Sequence, residues 1–390
     1  MAVTDLKING QSTAPGKGLA ALMGAAMALP GLTSQAEAAS QGEPAMAFSY
    51  LDYHEHGDLI DVRAPLVWGR MPIGEHYELE MTGALETMGG ASPETVTNRT
   101  GETVQTLTGA SIDDSRQSVD LKLTRFFEKG SLGIGGSFTS EDDYHGASVS
   151  IDNRWEFNQK NTVLALGVGY SSDDIDAVDG DPLNKKQIGW DFMVGVTQIL
   201  SPTAIMQSNI TYATGSGYFS DPYKWTFSFN PLSIDTDVRP NKHRQWAWLT
   251  RYNRHFPDLE GTLQSDYRFY WDNWGVTAHT MNLAWYQSIG DYWQLRPYLR
   301  YYDQNKADFY AETLPASPGE DGTISSDQRL GDFGAFSYGI KGIWEFDNGI
   351  SLNALVERYQ QDDDLAIGSG SPNFKTFDAT FFILGAAYTF

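Results

Sequence analysis

The chain has no cysteine among its 390 residues. No disulfide framework, thiolate metal site or cysteine nucleophile is available to it, and the absence suits an oxidising compartment, where a stray thiol is a liability. Basic residues are scarce: 27 Lys and Arg stand against 50 Asp and Glu, a formal net charge of −23. That balance excludes a basic surface for nucleic acid, so no nucleic-acid partner is expected. Long hydrophobic runs are missing too. The stretch 18–32, GLAALMGAAMALPGL, is the best of them, and it falls short of the ~20 residues that a membrane-spanning helix needs. If the chain crosses a membrane, it does so without helices.

What the N-terminus does have is a targeting pattern. Lys7 and Lys17 flank the apolar stretch on its N-terminal side, and Ala36-Glu37-Ala38 follows it as an A-x-A cleavage site. The expected division is a cleaved signal peptide over 1–38 and one mature domain over 39–390. Aromatic residues reach 13% with 39 glycines, yet the mean hydropathy is −0.38. Many aromatics with low average hydropathy suit strands that are apolar on one face and polar on the other.

From residue 44 onward the hydrophobic period is two. Over 188–196, Ile188, Trp190, Phe192, Val194 and Val196 alternate with Gly189, Asp191, Met193 and Gly195; over 292–302, Trp293, Leu295, Leu299 and Tyr301 alternate with Gln294, Arg296, Tyr298, Arg300 and Tyr302. Sixteen strands are predicted, near 44–55, 58–69, 74–86, 114–127, 131–142, 145–157, 161–173, 186–199, 203–214, 242–256, 259–272, 276–289, 292–304, 332–346, 349–361 and 376–390. The links between them alternate. Tight Gly, Pro, Asn and Asp turns, such as Ser201-Pro202 and Gly290-Asp291, take turns with links that include 87–113, 174–185, 215–241, 305–331 and 362–375. Short turns at one end and long loops at the other predict an all-β fold: a transmembrane, antiparallel, up-and-down β-barrel of about sixteen strands, with both termini on the short-turn side. The Thr-, Ser- and Gly-rich segment 87–113 reads as a mobile loop.

Two stretches carry resemblances. The C-terminus, Gly385-Ala386-Ala387-Tyr388-Thr389-Phe390, resembles the assembly signal of outer-membrane barrels, which implies recognition of Gly385, Tyr388 and Phe390 by the barrel-assembly machinery. The region 237–310, with DVRPNKHRQWAWLTRYNRHF, LEGTLQSDYRFYWDNWGVTAHT and WQLRPYLRYYDQNKADFY, resembles an uncharacterised bacterial outer-membrane family catalogued as domain of unknown function 3570. The resemblance implies a fold and an outer-membrane location, with lipid and lipopolysaccharide as surroundings. It implies no catalytic residues and no cofactor. It also suggests, as context, a periplasmic redox partner.

Sites of chemistry are sparse. His54 and His56 with Asp52 or Asp58 form at most a rim metal pair. The acidic run holding Asp173, Asp174, Asp176, Asp179 and Asp181 is oxygen-rich, as Ca²⁺ requires, but lacks EF-hand order; a solvated loop is the favoured reading. His145 beside Glu141-Asp142-Asp143 is the best acid–His cluster for a rim hydrolase, with His279 a lone second. No enzyme is expected. The face opposite the apolar one is richer. By parity it carries Glu78, Glu80 and Glu86, then Asp152, Arg154 and Glu156, then Arg251, Asp266, Arg268, Arg296 and Arg300 with Tyr298 and Tyr302. Such charge cannot face lipid and demands water or dense pairing. Acids early and arginines late would lie on roughly opposing walls. The expectation is a porin-like channel for small hydrophilic solutes; a scaffold barrel around an envelope redox protein, or a salt-bridged, plugged lumen, are the competing readings. N-terminal sequencing of protein recovered from outer membranes should read from residue 39; retention of Met1 would refute the signal peptide.

Overall fold

The computed structural model describes residues 41–57, 60–90, 93–99, 102–107, 112–176, 183–221, 225–229, 232–236, 238–311, 316–368, 370–371 and 376–390. The expected signal peptide, 1–38, lies outside them, as do Asp58, Asp179 and Asp181.

Sixteen strands close into one antiparallel barrel. They are β1 (Ala45–Glu55), β2 (Ile60–Ile73), β3 (Tyr77–Gly90), β6 (Ile112–Phe127), β7 (Gly130–Ser140), β8 (Tyr144–Phe157), β9 (Thr162–Ile175) and β10 (Lys185–Ser201), followed by β11 (Ala204–Gly217), β14 (Lys242–Phe256), β15 (Gly261–Asp272), β16 (Thr277–Ile289), β17 (Trp293–Gln304), β18 (Phe333–Glu345), β19 (Ile350–Asp362) and β20 (Phe377–Thr389). Every neighbour in the ring is the next barrel strand in sequence, and β20 returns to β1. Two hairpins lie in connections: β4 (Pro93–Arg99) with β5 (Glu102–Leu107), and β12 (Trp225–Phe229) with β13 (Leu232–Thr236). The first lies within 87–113, the segment that composition alone reads as a mobile loop, with no strand expected there. Its strands, PETVTNR and ETVQTL, are short Thr/Val runs that pair from Arg99↔Glu102 outward, and β-branched residues favour the pleat despite the polar composition.

The turn end of the barrel is built from residues that accept a left-handed backbone. Gly290 (φ 60°) and Gly349 (φ 82°) turn β16 into β17 and β18 into β19. A 3₁₀ turn over Pro257–Leu259 joins β14 to β15, ended by Glu260 in the left-handed region.

Parity divides every barrel strand. On β10, Ile188, Trp190, Phe192, Val194 and Val196 point outward and are 41–52% exposed, while Gln187, Asp191 and Met193 between them are nearly buried. The outward face carries such residues right round the ring, from Met46 and Val67 to Leu352 and Leu384. An apolar belt of that extent is incompatible with water and calls for hydrocarbon. Near the loop end the belt is edged by aromatics in mutual contact: Tyr170–Trp190 (5.0 Å), Phe192–Tyr212 (6.3 Å), Tyr212–Trp246 (4.5 Å) and Trp246–Trp271 (5.8 Å between centroids). His279 belongs to this edge. Its ring lies 5.0 Å from Phe269, and Nδ1 is 2.8 Å from the Tyr267 hydroxyl, so it is a girdle residue, with Asp303 as its register partner on β17. At the turn end Trp293 stacks on Trp344 at 4.8 Å.

The closing seam runs from Ala45↔Thr389 to Glu55↔Ala379. Gly385 faces inward opposite Ser49 and Asn353, Tyr388 faces outward, and Phe390 packs edge-on against Tyr388 at 4.8 Å while its amide donates to Pro44 O. Removing the Phe390 ring (Phe390→Ala) leaves the pairing intact but exposes the seam's last aromatic contact. Assembly into membranes, read as heat-modifiable migration on gels, should fall several-fold; unchanged assembly would count against the terminal signal.

Candidate functional site

The inward face is polar and divided into sectors. In the first, on β2, β3, β6 and β8, register aligns Arg70, Glu80 and Lys122 in one row and places Glu78, Glu86, Asp152, Arg154 and Glu156 on the same face. The expected early wall of acids is in fact mixed. Lys122 Nζ sits 2.8 Å from Asp152, Arg70 Nε 3.9 Å from Glu78, and Arg116 between Glu86 (3.5 Å) and Glu141. Arg154 stands in the field of Asp152, Glu80 and Glu78, and Lys160 reaches back from the turn to Glu156 at 3.6 Å.

The second sector lies across β14–β19. Arg251 holds Asp266 through two hydrogen bonds, 2.8 and 3.1 Å, the bidentate geometry that orients a carboxylate. Asp266, Asn282 and Arg300 form one row across β15, β16 and β17, with Arg300 Nε donating to Asn282 Oδ1 at 2.7 Å. Arg268 lies against the Tyr270 ring at 5.3 Å, and Arg296 between Tyr286 (4.7 Å) and Tyr298 (5.8 Å). Lys341 aligns with Arg296, and the Tyr298 hydroxyl donates to Glu357. This wall therefore holds Arg251, Arg268, Arg296, Arg300 and Lys341 against Asp266 and Glu357. In ring order it faces the first sector across the lumen. A third sector, on β20, β1 and β2, is apolar: Leu51, Tyr53, Ala64, Ala379 and Phe381 cluster on the inward parity.

A cap is seated inside the rim at the loop end, and its residues were not singled out in the sequence. Asp272, at the end of β15, accepts four hydrogen bonds: from the backbone amides of Trp274 and Val276 (2.9 Å each), the Tyr270 hydroxyl (2.8 Å) and His243 Nε2 (2.8 Å). With Nε2 on the carboxylate, His243 Nδ1 accepts from Gln245 Nε2 at 3.0 Å, and the imidazole stacks on Trp274 at 3.7 Å. Phe219, Ala307 and Leu330 complete an apolar cluster around Trp274. Above it the β11–β14 and β17–β18 connections are joined by the Val238↔Ile324 bridge and by a buried ion pair, Arg239–Asp327 at 2.8 Å, each side chain 3% exposed. Arg329 bridges Asp327 and Asp221. Burial alone would lower its pKa, but the two carboxylates outweigh that and hold the guanidinium charged, well above its usual range. Gln304, on the inward parity of β17, donates to the carbonyls of Arg329 and Gly331, and Ser371 ties in the β19–β20 connection through Asp332. Four successive loop-end connections are thus locked together.

Other sequence candidates disperse. Glu141 is taken by Arg116, and His145 Nδ1 meets Ser140 Oγ at 3.0 Å, so that acid–His cluster does not converge. His54 pairs with Asp61, and His56 with Arg358. Of the acidic run, Asp173 bonds Tyr144, Asp174 pairs with Lys186 at 2.8 Å, and Asp176 accepts from the Asn184 amide. Among the described residues no group of three or more His, Asp or Glu side chains is placed to hold a metal ion.

The family model "Protein of unknown function (DUF3570)" matches residues 19–189 and 183–373. The chain belongs to this family. Among solved structures it is similar to CdiB from Acinetobacter baumannii, at 12% identity with a TM-score of 0.52 over 89% of this chain and 60% of that one. It is also similar to a bacterial polysaccharide outer membrane secretin, at 7% identity with a TM-score of 0.50 over 89% of this chain and 98% of that one. At such identities the likeness is one of fold, that of outer-membrane barrels, and the chain spans about 60% of the length of CdiB. No curated protein is significantly similar to it.

Asp327→Ala would leave Arg239 and Arg329 without their shared carboxylate. Removing one partner of a buried pair costs about 3–5 kcal/mol, so the cap should open without the barrel unfolding. Proteolysis within 305–332 is then expected to accelerate at unchanged heat-modifiable migration; equal protease resistance would show that the ion pairs do not hold the cap.

Proposed function

We propose that the chain is a porin-like channel of the Gram-negative outer membrane, passing small hydrophilic solutes, with its turn end towards the periplasm and its capped end among lipopolysaccharide. The observation that carries this reading is the sectored lumen. A barrel of sixteen strands is in the size range of aqueous porins, and its inward rows carry charge on two facing sectors, the early one mixed and the late one with more arginines than acids. Orientation follows from Phe390 on the short-turn side, where the barrel-assembly machinery would read it, and export from the signal over 1–38.

A redox scaffold is less well supported, since a sheath around a folded partner calls for a lumen of ~20 strands or more. The plugged barrel is the second reading with an observation behind it: the cap joins four successive loop-end connections of the eight, along one half of the rim. On the channel reading, the cap narrows the entrance and leaves the remainder open.

Planar-bilayer recording separates the two. The triple variant Arg268→Gln, Arg296→Gln, Arg300→Gln removes three positive charges from the late wall while keeping a polar, hydrogen-bonding side chain at each position. Under a salt gradient its reversal potential should shift towards cations, with a several-fold change in permeability ratio. If wild type and variant both conduct with equal selectivity, these arginines do not govern permeation. If neither conducts, the plugged barrel replaces the channel.

A further inference from the structure

On the outside of the barrel, one sector of the loop-end rim is basic. The outward parity of β14 that carries Trp246 and Trp248 continues towards the loops as Arg244 and Lys242, both exposed. Register sets Arg244 in one row with Thr214 of β11 and Trp190 of β10, and Lys242 in the next row up with Ser216 and Ile188. Lys186 follows on the same face of β10, one row nearer the loops, in a solvent-exposed pair with Asp174. The two cations of β14 therefore stand on the aromatic edge made by Tyr170, Trp190, Tyr212, Trp246 and Trp271.

Neither cation is neutralised. Among the described residues no carboxylate pairs with Lys242 or Arg244, and His243 between them meets Asp272 on the inward face. Other outward cations near the loop end face acids: Arg358 pairs with Asp378, and Arg63 is the register partner of Asp52. Two unneutralised cations side by side run against a composition with 50 acidic and 27 basic residues. The backbone beneath them is fixed. Asn273 accepts from the Arg244 amide and donates to the Lys242 carbonyl at 3.3 Å. Trp274 Nε1 donates to the same carbonyl at 3.1 Å, and the Asn273 amide donates to Arg244 O at 3.0 Å. The two side chains thus rise from a strand held on its free side by the β15–β16 turn.

We propose that this sector binds a phosphorylated glycolipid of the outer leaflet, the lipid part of lipopolysaccharide, through a phosphate group. Lys242 and Arg244 lie about 6.6 Å apart along one strand face, a spacing at which two long side chains reach one phosphate from either side. Phosphate oxygens only accept, and the guanidinium and ammonium only donate, so the sets are complementary in charge and in hydrogen bonding. Height selects the same ligand. Tyr and Trp edges mark the level where acyl chains give way to head groups. A phosphate on the head group then lies beside the two cations, while the chains run down over Phe192, Val194 and Ile210, all exposed on the outward face. A soluble anion would use the cations and leave that apolar face unused. The inference deepens the outer-membrane reading and rests on it for the leaflet that meets the loop end; binding itself is tested without a membrane.

The test is native mass spectrometry of the detergent-solubilised full chain, titrated with diphosphorylated lipid A and, separately, with lipid A stripped of its phosphates. Wild type should bind the diphosphorylated lipid saturably and prefer it about tenfold or more over the stripped one. The double variant Lys242→Gln, Arg244→Gln should lose about tenfold or more in affinity, each cation at an anionic lipid surface being worth about fivefold. Arg254→Gln removes a cation of the same outward parity at the turn end of β14 and should leave the affinity unchanged. Heat-modifiable migration confirms that each variant is assembled. Equal uptake of the two lipids by wild type, which needs no variant, overturns the site. So does equal affinity in the assembled double variant, or an equal loss in Arg254→Gln. Displacement of the lipid by an equal concentration of inorganic phosphate would assign the cations to a free anion and overturn it too. Binding without bilayer conductance would keep the site and remove the channel; conductance without binding would do the reverse.

Discussion

A backbone amide in hydrocarbon has no water to bond, and each one left unpaired costs several kcal/mol. The chain meets that constraint by pairing β20 with β1, so that no strand has a free edge. Closure fixes the rest. Because consecutive side chains alternate across the pleat, one parity must satisfy lipid and the other faces inward, and a slip of one residue would exchange the two sets. The unbroken registers of most pairs, such as the twelve matched positions between β17 and β18, follow from that demand.

Inside the barrel the demand is different, and the sectors show how it is met. Charged rows on β3–β8 and β14–β19 pair across the sheet, Lys122 of β6 with Asp152 of β8 over the intervening β7 and Arg251 of β14 with Asp266 of the adjacent β15. Each pair satisfies part of its own desolvation and leaves the excess arginines of the late wall to the lumen. Where such pairs stop, the inward positions of β9–β11 are mostly small or uncharged polar residues, and those of β20, β1 and β2 are apolar. A lumen of uniform charge would repel itself; one divided in this way has distinct surfaces at the same depth.

Strands and parity were legible in the sequence because each depends on local pattern. All sixteen expected barrel strands overlap the observed ones, and Arg268, Arg296 and Arg300 could be set on the inward face simply by counting from Tyr267 and Leu295. What was not legible depends on distance across the fold. Arg70, Lys122 and Arg116 neutralise the early acids at separations from 8 residues, for Arg70–Glu78, to 30, for Lys122–Asp152 and Arg116–Glu86, and no period-two count reveals which. The cap was further out of reach. Asp221, Arg239, Asp327 and Arg329 come from connections without periodicity, and Asp327 meets Arg239 only because β14 and β17–β18 rise from the same side of the ring. The hairpin of β4 and β5 was not foreseen for another reason: a Thr-, Ser- and Gly-rich composition was read as a mobile loop, although Thr and Val fit the pleat.

The same constraint that closes the barrel also limits what can change in it. Breaking a ladder bond at membrane depth exposes groups that nothing can satisfy, so the sixteen-strand wall is the part of the molecule least free to alter its bore. Side chains on the inward rows and the loops above the rim are under no such restriction, since changing them breaks no ladder bond. The cap is held by ion pairs and hydrogen bonds, Arg239–Asp327–Arg329 and Gln304 on the carbonyls of the β17–β18 connection. It also rests on one aromatic stack, His243 on Trp274. These are contacts that can be exchanged for water at moderate cost. Control over passage, where this fold has any, must therefore lie in the cap and in the inward charges, with the closed sheet as the fixed frame that positions both.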